Sequence, residues 1–287
     1  MNHSSFCRLI RPMVPSTCRV GRQQGPLTGI LKKQYHSFAN GLGEKQPFSL
    51  IWPWMKTEPL CESSTSTPRP TYEILGPGMI HLKNYVSLKD QVDIVNICQK
   101  WGMESGGFYK PSCQNGADNR QHMCFGRNWD PETRYDNIYT SDGSEPPPIP
   151  YELTSLAETA IQDAQAHLEE DELPSMCPDT CSVSFYPLDG RLGLHQDLDE
   201  NSDALQKGLP VVSISIGYMA EFLYGHTRDE QKLNKVWLQS GDVIIFGGKS
   251  RLVYHGVSQI CPYSAPQPLV SATALRAGRL SLTLRTI

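Results

Sequence analysis

From Thr180 to Arg285 apolar and polar residues alternate with a period of two, in TCSVSFY, LGLHQD, VVSISIG, AEFLYG, DVIIFGG, LVYHGV and RLSLTLR. Successive strand side chains leave opposite faces, so this period predicts about seven short strands, with Gly, Pro and Asp between them supplying turns. Strands this short and numerous close into a sandwich or barrel. Upstream the spacing changes to three and four. A helix is expected to open near Ser87, which with Asp90 resembles a capping box, and Leu88, Val92, Val95 and Trp101 form its apolar stripe up to Gly102. A second is expected from about Tyr151 to Glu170, where Leu153, Leu156, Ala157, Ala160, Ile161, Ala164 and Leu168 share one face and acidic residues the other. The predicted class is therefore mainly β with flanking helices (α+β), the helices acting as buttresses.

Residues 103–150 follow neither period. Phe108, Tyr109, Phe125, Trp129, Tyr135 and Tyr139 are scattered there among Asn, Asp, Gly and Pro. Long structured loops are uncommon without a purpose. This one is either a lid offering aromatic faces to a flat ligand or a loop pinned by aromatic anchors, and the sequence favours neither. The expected division is a basic head over residues 1–43, a Pro/Ser/Thr-rich linker over 44–70, a helix and aromatic-rich lid over 71–150, and a buttress helix with the β-rich core over 151–287.

Charge changes the picture at the head. The whole chain of 287 residues carries a formal net charge of −4, yet residues 1–43 hold six Lys or Arg and no acid, leaving 20 basic against 30 acidic residues in the rest. An Arg-rich, acid-free head without a long apolar centre looks like an organelle transit peptide, so a mitochondrial or plastid address is expected, with cytoplasm or nucleus as the alternative. Three prolines in the first 26 residues interrupt an amphipathic helix there, which leaves a disordered tail as the other reading. An acidic body excludes a protein that coats nucleic acid along its length; a polyanion has to meet a local patch. No apolar run is long enough for a membrane helix. Nine cysteines without a CxxC pair are expected to be reduced thiols, and a monomer is expected.

The candidate chemistry lies on the β-rich segment. His195 and Asp197 are two apart in LGLHQDLDE and leave the same face of a strand, so they can share one ion; His255 in RLVYHGV is a third ligand on another strand. Two imidazoles and one carboxylate leave coordination positions open, which suits Fe(II) enzymes that bind a co-substrate and O2 together. In RLSLTLR the alternation puts Arg279, Ser281, Thr283 and Arg285 on one side and Leu280, Leu282 and Leu284 on the other. A half-exposed strand with its arginines in water is one reading. An arginine held inside a barrel instead needs a carboxylate, and a dicarboxylate that chelates iron at its other end, such as 2-oxoglutarate, meets that need.

FYPLDGRLGLHQDLDE, PVVSISIG, SGDVIIFGGKSRLVYHGV and the terminal RxxxTxR, in this order, resemble the AlkB family of Fe(II)- and 2-oxoglutarate-dependent nucleobase dioxygenases, and NWD with Tyr135 resembles that family's nucleotide lid. The resemblance implies a double-stranded β-helix, or jelly roll, with iron held by His195, Asp197 and His255. It further implies Arg279 on the distal carboxylate of 2-oxoglutarate, Tyr186 hydrogen-bonding it, Arg285 at the iron-proximal end, and Ser184, Ser281 and Thr283 beside them. Ser184 and Ser281 stand where the family often has Asn, and a serine hydroxyl is shorter and offers fewer hydrogen bonds, so weaker co-substrate binding is expected. By the same resemblance Trp129 stacks on the target base with His195 on its other side, Asp199 accepts a hydrogen bond from the base's exocyclic amine, and Tyr135 and Arg228 are lid and backbone contacts.

The implied reaction is oxidative demethylation of 1-methyladenine, 3-methylcytosine or N6-methyladenine in DNA or RNA. Methyl C–H hydroxylation is coupled to 2-oxoglutarate decarboxylation, and the hydroxymethyl product collapses to formaldehyde and the free base. A protein hydroxylase of the same chemistry would need the metal and Arg279 but not Trp129 and Asp199. A non-catalytic jelly-roll binding module would need none of them.

Overall fold

A computed structural model describes residues 71–110, 120–140 and 142–287. The expected transit peptide and linker, residues 1–70, lie outside the described residues. Among the described residues eleven strands form two antiparallel sheets. They are β1 (Thr71–Gly76), β2 (Met79–Lys83), β3 (Gln121–Phe125), β4 (Thr180–Tyr186), β5 (Leu192–His195), β6 (Val211–Gly217), β7 (Ala220–Gly225), β8 (Asn234–Leu238), β9 (Val243–Phe246), β10 (Tyr254–Ile260) and β11 (Arg279–Arg285). The larger sheet runs β1-β2-β9-β6-β11-β4-β3 and the smaller β5-β10-β7-β8.

The period of two sorts the larger sheet's side chains into two environments. Cys181, Val183 and Phe185 of β4, Val212, Ile214 and Ile216 of β6, Val243 and Ile245 of β9, and Leu280, Leu282 and Leu284 of β11 join one buried cluster. Helices α1 (Leu88–Gly102) and α2 (Tyr151–Gln165) cover that face with Ile94, Val95, Leu153, Ala157 and Ile161. Each fully buried aliphatic side chain contributes about 1.5–3 kcal/mol. The alternate residues face the smaller sheet. Towards one end they are apolar, with Met79, Val211, Ile244 and Phe246 meeting Phe222, Leu238 and Val257. Elsewhere they are Ser, Thr, Arg and His, and there a pocket opens. This two-sheet sandwich is the jelly roll that the alternation and the resemblance imply.

Several expectations are corrected. Residues 71–83 and 121–125, grouped with the lid, supply β1, β2 and β3 to the larger sheet, because β2 pairs with β9 and β3 with β4 across more than fifty residues of chain. The strand β8, in NKVWL, was not expected; its polar first half conceals it, and pairing with β7 forms it. Helix α1 begins as expected, the Asp90 amide donating to the Ser87 hydroxyl at 3.2 Å, but Leu88 is exposed and Gln91, Ile94, Val95 and Cys98 are the buried positions. Gln91 is tolerated there because its amide donates to the Val86 carbonyl at 2.9 Å and accepts from Ser240 at 2.7 Å. Helix α2 ends at Gln165, where the chain turns and the Gln165 amide caps the Leu173 carbonyl at 2.9 Å.

Helix α3 (Gln267–Thr273), in the stretch for which the sequence suggests no role, packs on α1, and Gln99 donates to the Thr273 carbonyl at 2.9 Å. Among the described residues Cys98, Cys124, Cys177, Cys181 and Cys261 are free thiols, and no helix is long and apolar enough to cross a membrane.

Candidate active site

Strand β5 ends on His195, and β10 lies antiparallel to it in a register that sets His255 directly opposite. Gly256 permits this approach, since a Cβ there would stand 2.6 Å from the Leu192 carbonyl oxygen. The two imidazole centroids are 4.3 Å apart. Asp197 follows β5 and points between them, its Oδ1 3.7 Å from His195 Nε2 and its Oδ2 3.7 Å from His255 Nε2. These separations are too long for hydrogen bonds and within the reach of one shared ion. Both Nδ1 atoms are engaged by backbone carbonyls, Gly193 at 2.9 Å and Val253 at 3.1 Å. Nδ1 therefore carries the proton and Nε2 keeps its lone pair for a metal.

The donor set fits iron. Asp197 Oδ2 is buried without a hydrogen-bond partner, as a metal-ligand oxygen must be before its ion arrives. Burial opposes ionisation of Asp197, but the neighbouring charges, Arg285 foremost, outweigh it and hold the carboxyl well below the usual carboxylate range. Burial pushes His255 down to about 4, so its imidazole is neutral at neutral pH. An anionic oxygen and neutral nitrogens are the protonation states a metal requires. His195, Asp197 and His255 are the three-residue metal-binding group found among the described residues.

The β11 face carries the rest. Tyr186, Arg279 and Gly217 stand in one cross-strand row, Ser184, Ser281 and Ser215 in the next, and Ser182, Thr283 and Ser213 in the third. Arg279 is 2% exposed. Its Nη2 donates to Ser215 at 2.9 Å, its guanidinium lies 5.5 Å from the Tyr186 ring, and its Nε has no partner. No carboxylate among the described residues pairs with it. A buried guanidinium in that state is costly until an anion fills the space, which is what a dicarboxylate's far end supplies. Arg285 instead bridges Asp197 at 3.1 Å and Glu200 at 3.2 Å.

The cavity between the sheets measures about 600 Å³ and is lined by all three metal-ligand candidates and by Ser184, Tyr186, Arg279, Ser281, Thr283 and Arg285. Its mouth is walled by Trp129, Tyr135 and Asp199. The Tyr135 hydroxyl is buried there without a hydrogen-bond partner, and burial pushes its pKa up. Arg228 is not brought to this wall: it stacks over Tyr254 at 5.3 Å, because the turn after β7 carries it away from the mouth. Asp199 is not waiting open for a base amine. It accepts from the Trp129 indole at 2.8 Å and pairs with Arg134 at 3.4 Å.

Sequence reasoning missed several residues. His122 on β3 is fully enclosed in the pocket wall, edge-on to Trp129 at 5.5 Å and to Tyr109 at 5.7 Å, with Nδ1 3.3 Å from the Ser184 hydroxyl. Burial, aided by Arg120 and Arg285, pushes it down to about 3, so it is a neutral wall. Glu200 and Arg251 pair at 2.8 Å in the interior, and Arg251 Nη1 also donates to the backbone carbonyl of Asp197 at 2.9 Å. Their nearness in sequence to Asp197 and His255 was the one available signal.

A family model described as the 2OG-Fe(II) oxygenase superfamily matches residues 78–285. A solved structure described as that of OsALKBH1 superposes with a TM-score of 0.72 at 48% identity, covering 76% of this chain and 100% of that one. The Arabidopsis thaliana protein named DNA N(6)-methyladenine demethylase ALKBH1C is 50% identical over 222 residues, 74% of this chain and 49% of that protein. The alpha-ketoglutarate-dependent dioxygenase AlkB of Escherichia coli K12 is 38% identical over 87 residues, 30% of this chain and 38% of that protein. The chain thus spans about half the length of the curated Arabidopsis relatives it matches. With the His195–Asp197–His255 triad, the buried Arg279 and these likenesses together, the chain belongs to the 2OG-Fe(II) oxygenase superfamily and, within it, to the AlkB family.

Proposed function

We propose that the chain oxidatively demethylates N-alkylated adenine or cytosine (1-methyladenine, 3-methylcytosine or N6-methyladenine) in DNA or RNA, with Fe(II), 2-oxoglutarate and O2. The observation that carries this reading is Arg279, a buried cation without a carboxylate partner among the described residues, facing the same cavity as the metal triad beneath a mouth walled by Trp129. The names of the Arabidopsis relatives support the substrate class.

Bound iron couples decarboxylation of 2-oxoglutarate to succinate with oxidation of a C–H bond by O2. The protein's own part is positioning. The Gly193 and Val253 carbonyls fix the two imidazoles, and Arg285 keeps Asp197 ionised and orients it. Arg279, with Ser215 and Tyr186 beside it, takes the distal carboxylate of the co-substrate. Trp129 and the neutral His122 form an aromatic wall against which a flat base lies, excluding water from the reacting methyl group. A duplex base cannot reach this depth, so the base is flipped out or presented in a single strand.

The test is formaldehyde and succinate release from single- and double-stranded oligonucleotides carrying each methylated base. Stoichiometric release that falls with Trp129→Ala supports the proposal. Equal turnover by wild type and Trp129→Ala favours a protein hydroxylase, and no succinate from any substrate favours a binding module. We propose further that the protein acts as a monomer and that the basic head directs import into a mitochondrion or plastid. A reporter fused to residues 1–43 that stays in the cytosol overturns the address, and a dimer mass in solution overturns the monomer.

A further inference from the structure

We propose that His122, with Cys124 behind it, is a positioning residue for 2-oxoglutarate: its Nδ1–H fixes the Ser184 hydroxyl so that the serine proton is presented to a co-substrate oxygen. The inference rests on the co-substrate reading of this cavity and adds to it two residues outside the metal triad and the β11 face. Strand β3 meets β4 with His122 directly opposite Ser184, and the same cross-strand row continues to Ser281 on β11 and Ser215 on β6. Arg279 Nη2 donates into that row through Ser215 at 2.9 Å. Ser184 itself is 6% exposed and lines the cavity.

The neutral His122 ring carries one N–H, on one nitrogen or the other. Cys124 decides which. Its sulfur lies 3.3 Å from His122 Nε2. Burial pushes the thiol up to about 11, so it keeps its proton, and the Trp129 backbone amide and the Ser182 hydroxyl already donate towards the sulfur. The S–H is the group left to meet Nε2, which therefore accepts. The ring proton is then on Nδ1, 3.3 Å from the Ser184 hydroxyl oxygen.

A serine hydroxyl has one proton and two lone pairs. With one lone pair of Ser184 taken by His122, its proton turns away from β3 and towards the cavity. Among the described residues His122 is the hydrogen-bond partner of this hydroxyl, so the proton has no protein acceptor there. A buried donor in that state is satisfied when an anionic oxygen enters the space. The opposite tautomer would reverse the effect. Nδ1 would then accept the serine proton, and the hydroxyl would turn its lone pairs on the incoming carboxylate, which repel it.

The experiment is isothermal titration of 2-oxoglutarate, without oxygen, into the full chain loaded with Mn(II). Wild type is compared with His122→Phe, His122→Asn, Ser184→Ala and the double variant His122→Phe/Ser184→Ala. Phe keeps the ring and loses the N–H, whereas the Asn amide restores an N–H near the place of Nδ1. His122→Phe is expected to weaken 2-oxoglutarate binding by roughly 3- to 10-fold, less than outright loss of a charge-assisted hydrogen bond because the hydroxyl remains. His122→Asn is expected to recover most of that loss. In the Ser184→Ala background His122→Phe is expected to cost nothing further, since the imidazole acts through that hydroxyl. Should the Phe variant not fold, His122→Leu takes its place in the cycle. An affinity unchanged by loss of the imidazole overturns the proposal, as does the same loss with and without Ser184, which marks His122 as packing alone. In both cases wild type still binds 2-oxoglutarate, and the co-substrate reading stands. Wild type that takes up no 2-oxoglutarate overturns that reading and this inference together.

Discussion

The Trp129 indole nitrogen donates to the Asp199 carboxylate at 2.8 Å, tying the aromatic lid to the segment that follows the metal ligands. The ring is thereby held in one orientation over the mouth. Trp129→Phe keeps an aromatic face but loses the tether, whereas Trp129→Ala loses both. A rise of about 5- to 10-fold in KM for a methylated oligonucleotide is expected for Phe, consistent with one hydrogen bond to a charged acceptor, and a larger loss for Ala. Steady-state kinetics on a single strand checks the order; equal KM values for wild type and both variants contradict it.

Arg279 is the second pressure point. Removing a buried guanidinium removes charge-assisted bonds of about 2–3 kcal/mol in total, or roughly 30- to 150-fold in 2-oxoglutarate affinity. Arg279→Ala should raise KM for 2-oxoglutarate by that order while leaving Mn(II) affinity within a few-fold of wild type. Isothermal titration of each ligand separates the two effects.

Glu200 and Arg251 form an interior pair that also braces the Asp197 backbone. Stranding a buried charge costs about 3–5 kcal/mol, and loss of Arg251 costs less than that because Arg285 still faces Glu200 at 3.2 Å. Arg251→Met should lower the melting temperature strongly and weaken Mn(II) binding. Arg251→Lys should rescue neither fully, because a single ammonium cannot serve Glu200, the Asp197 carbonyl and the Leu209 carbonyl as the guanidinium fork does.

His122 gives the metal-free protein an acid limb. Its pKa falls from an ordinary 6.5 to about 3 because it is buried, so the unfolded chain takes up the proton first. Its contribution is present above about pH 6.5 and is lost as pH falls towards about 3, by up to about 1.4 kcal/mol per unit. Urea unfolding of wild type and His122→Phe between pH 7 and 4 should show a shallower loss for the variant; parallel slopes contradict the assignment.

Chemistry written in local spacing was legible in the sequence. His195 and Asp197 share a face because they are two apart on one strand, and Arg279 faces the cavity because Leu280, Leu282 and Leu284 must face the helices. Features made by distant pairing were not legible. His122 reaches Ser184 only because β3 adds to the edge of β4, and β8 is a strand only because β7 lies beside it. The Glu200–Arg251 pair lies across the fold, and each residue alone reads as an ordinary surface charge. Asp199 was recognisable as a mouth carboxylate, but its partners Trp129 and Arg134 come from a lid without periodicity.

One measurement reaches the central claim, that His195, Asp197 and His255 hold a single ferrous ion served by an oxoacid on Arg279. Fe(II) and then 2-oxoglutarate are titrated into the protein without oxygen, and the visible charge-transfer absorption of the ferrous–oxoacid complex is followed. Wild type should develop the band to saturation at one equivalent of iron, Arg279→Ala should need far more 2-oxoglutarate, and Asp197→Ala should develop none. A wild-type protein that shows no band at saturating iron and oxoacid, or an Asp197→Ala variant that matches wild type, contradicts the account.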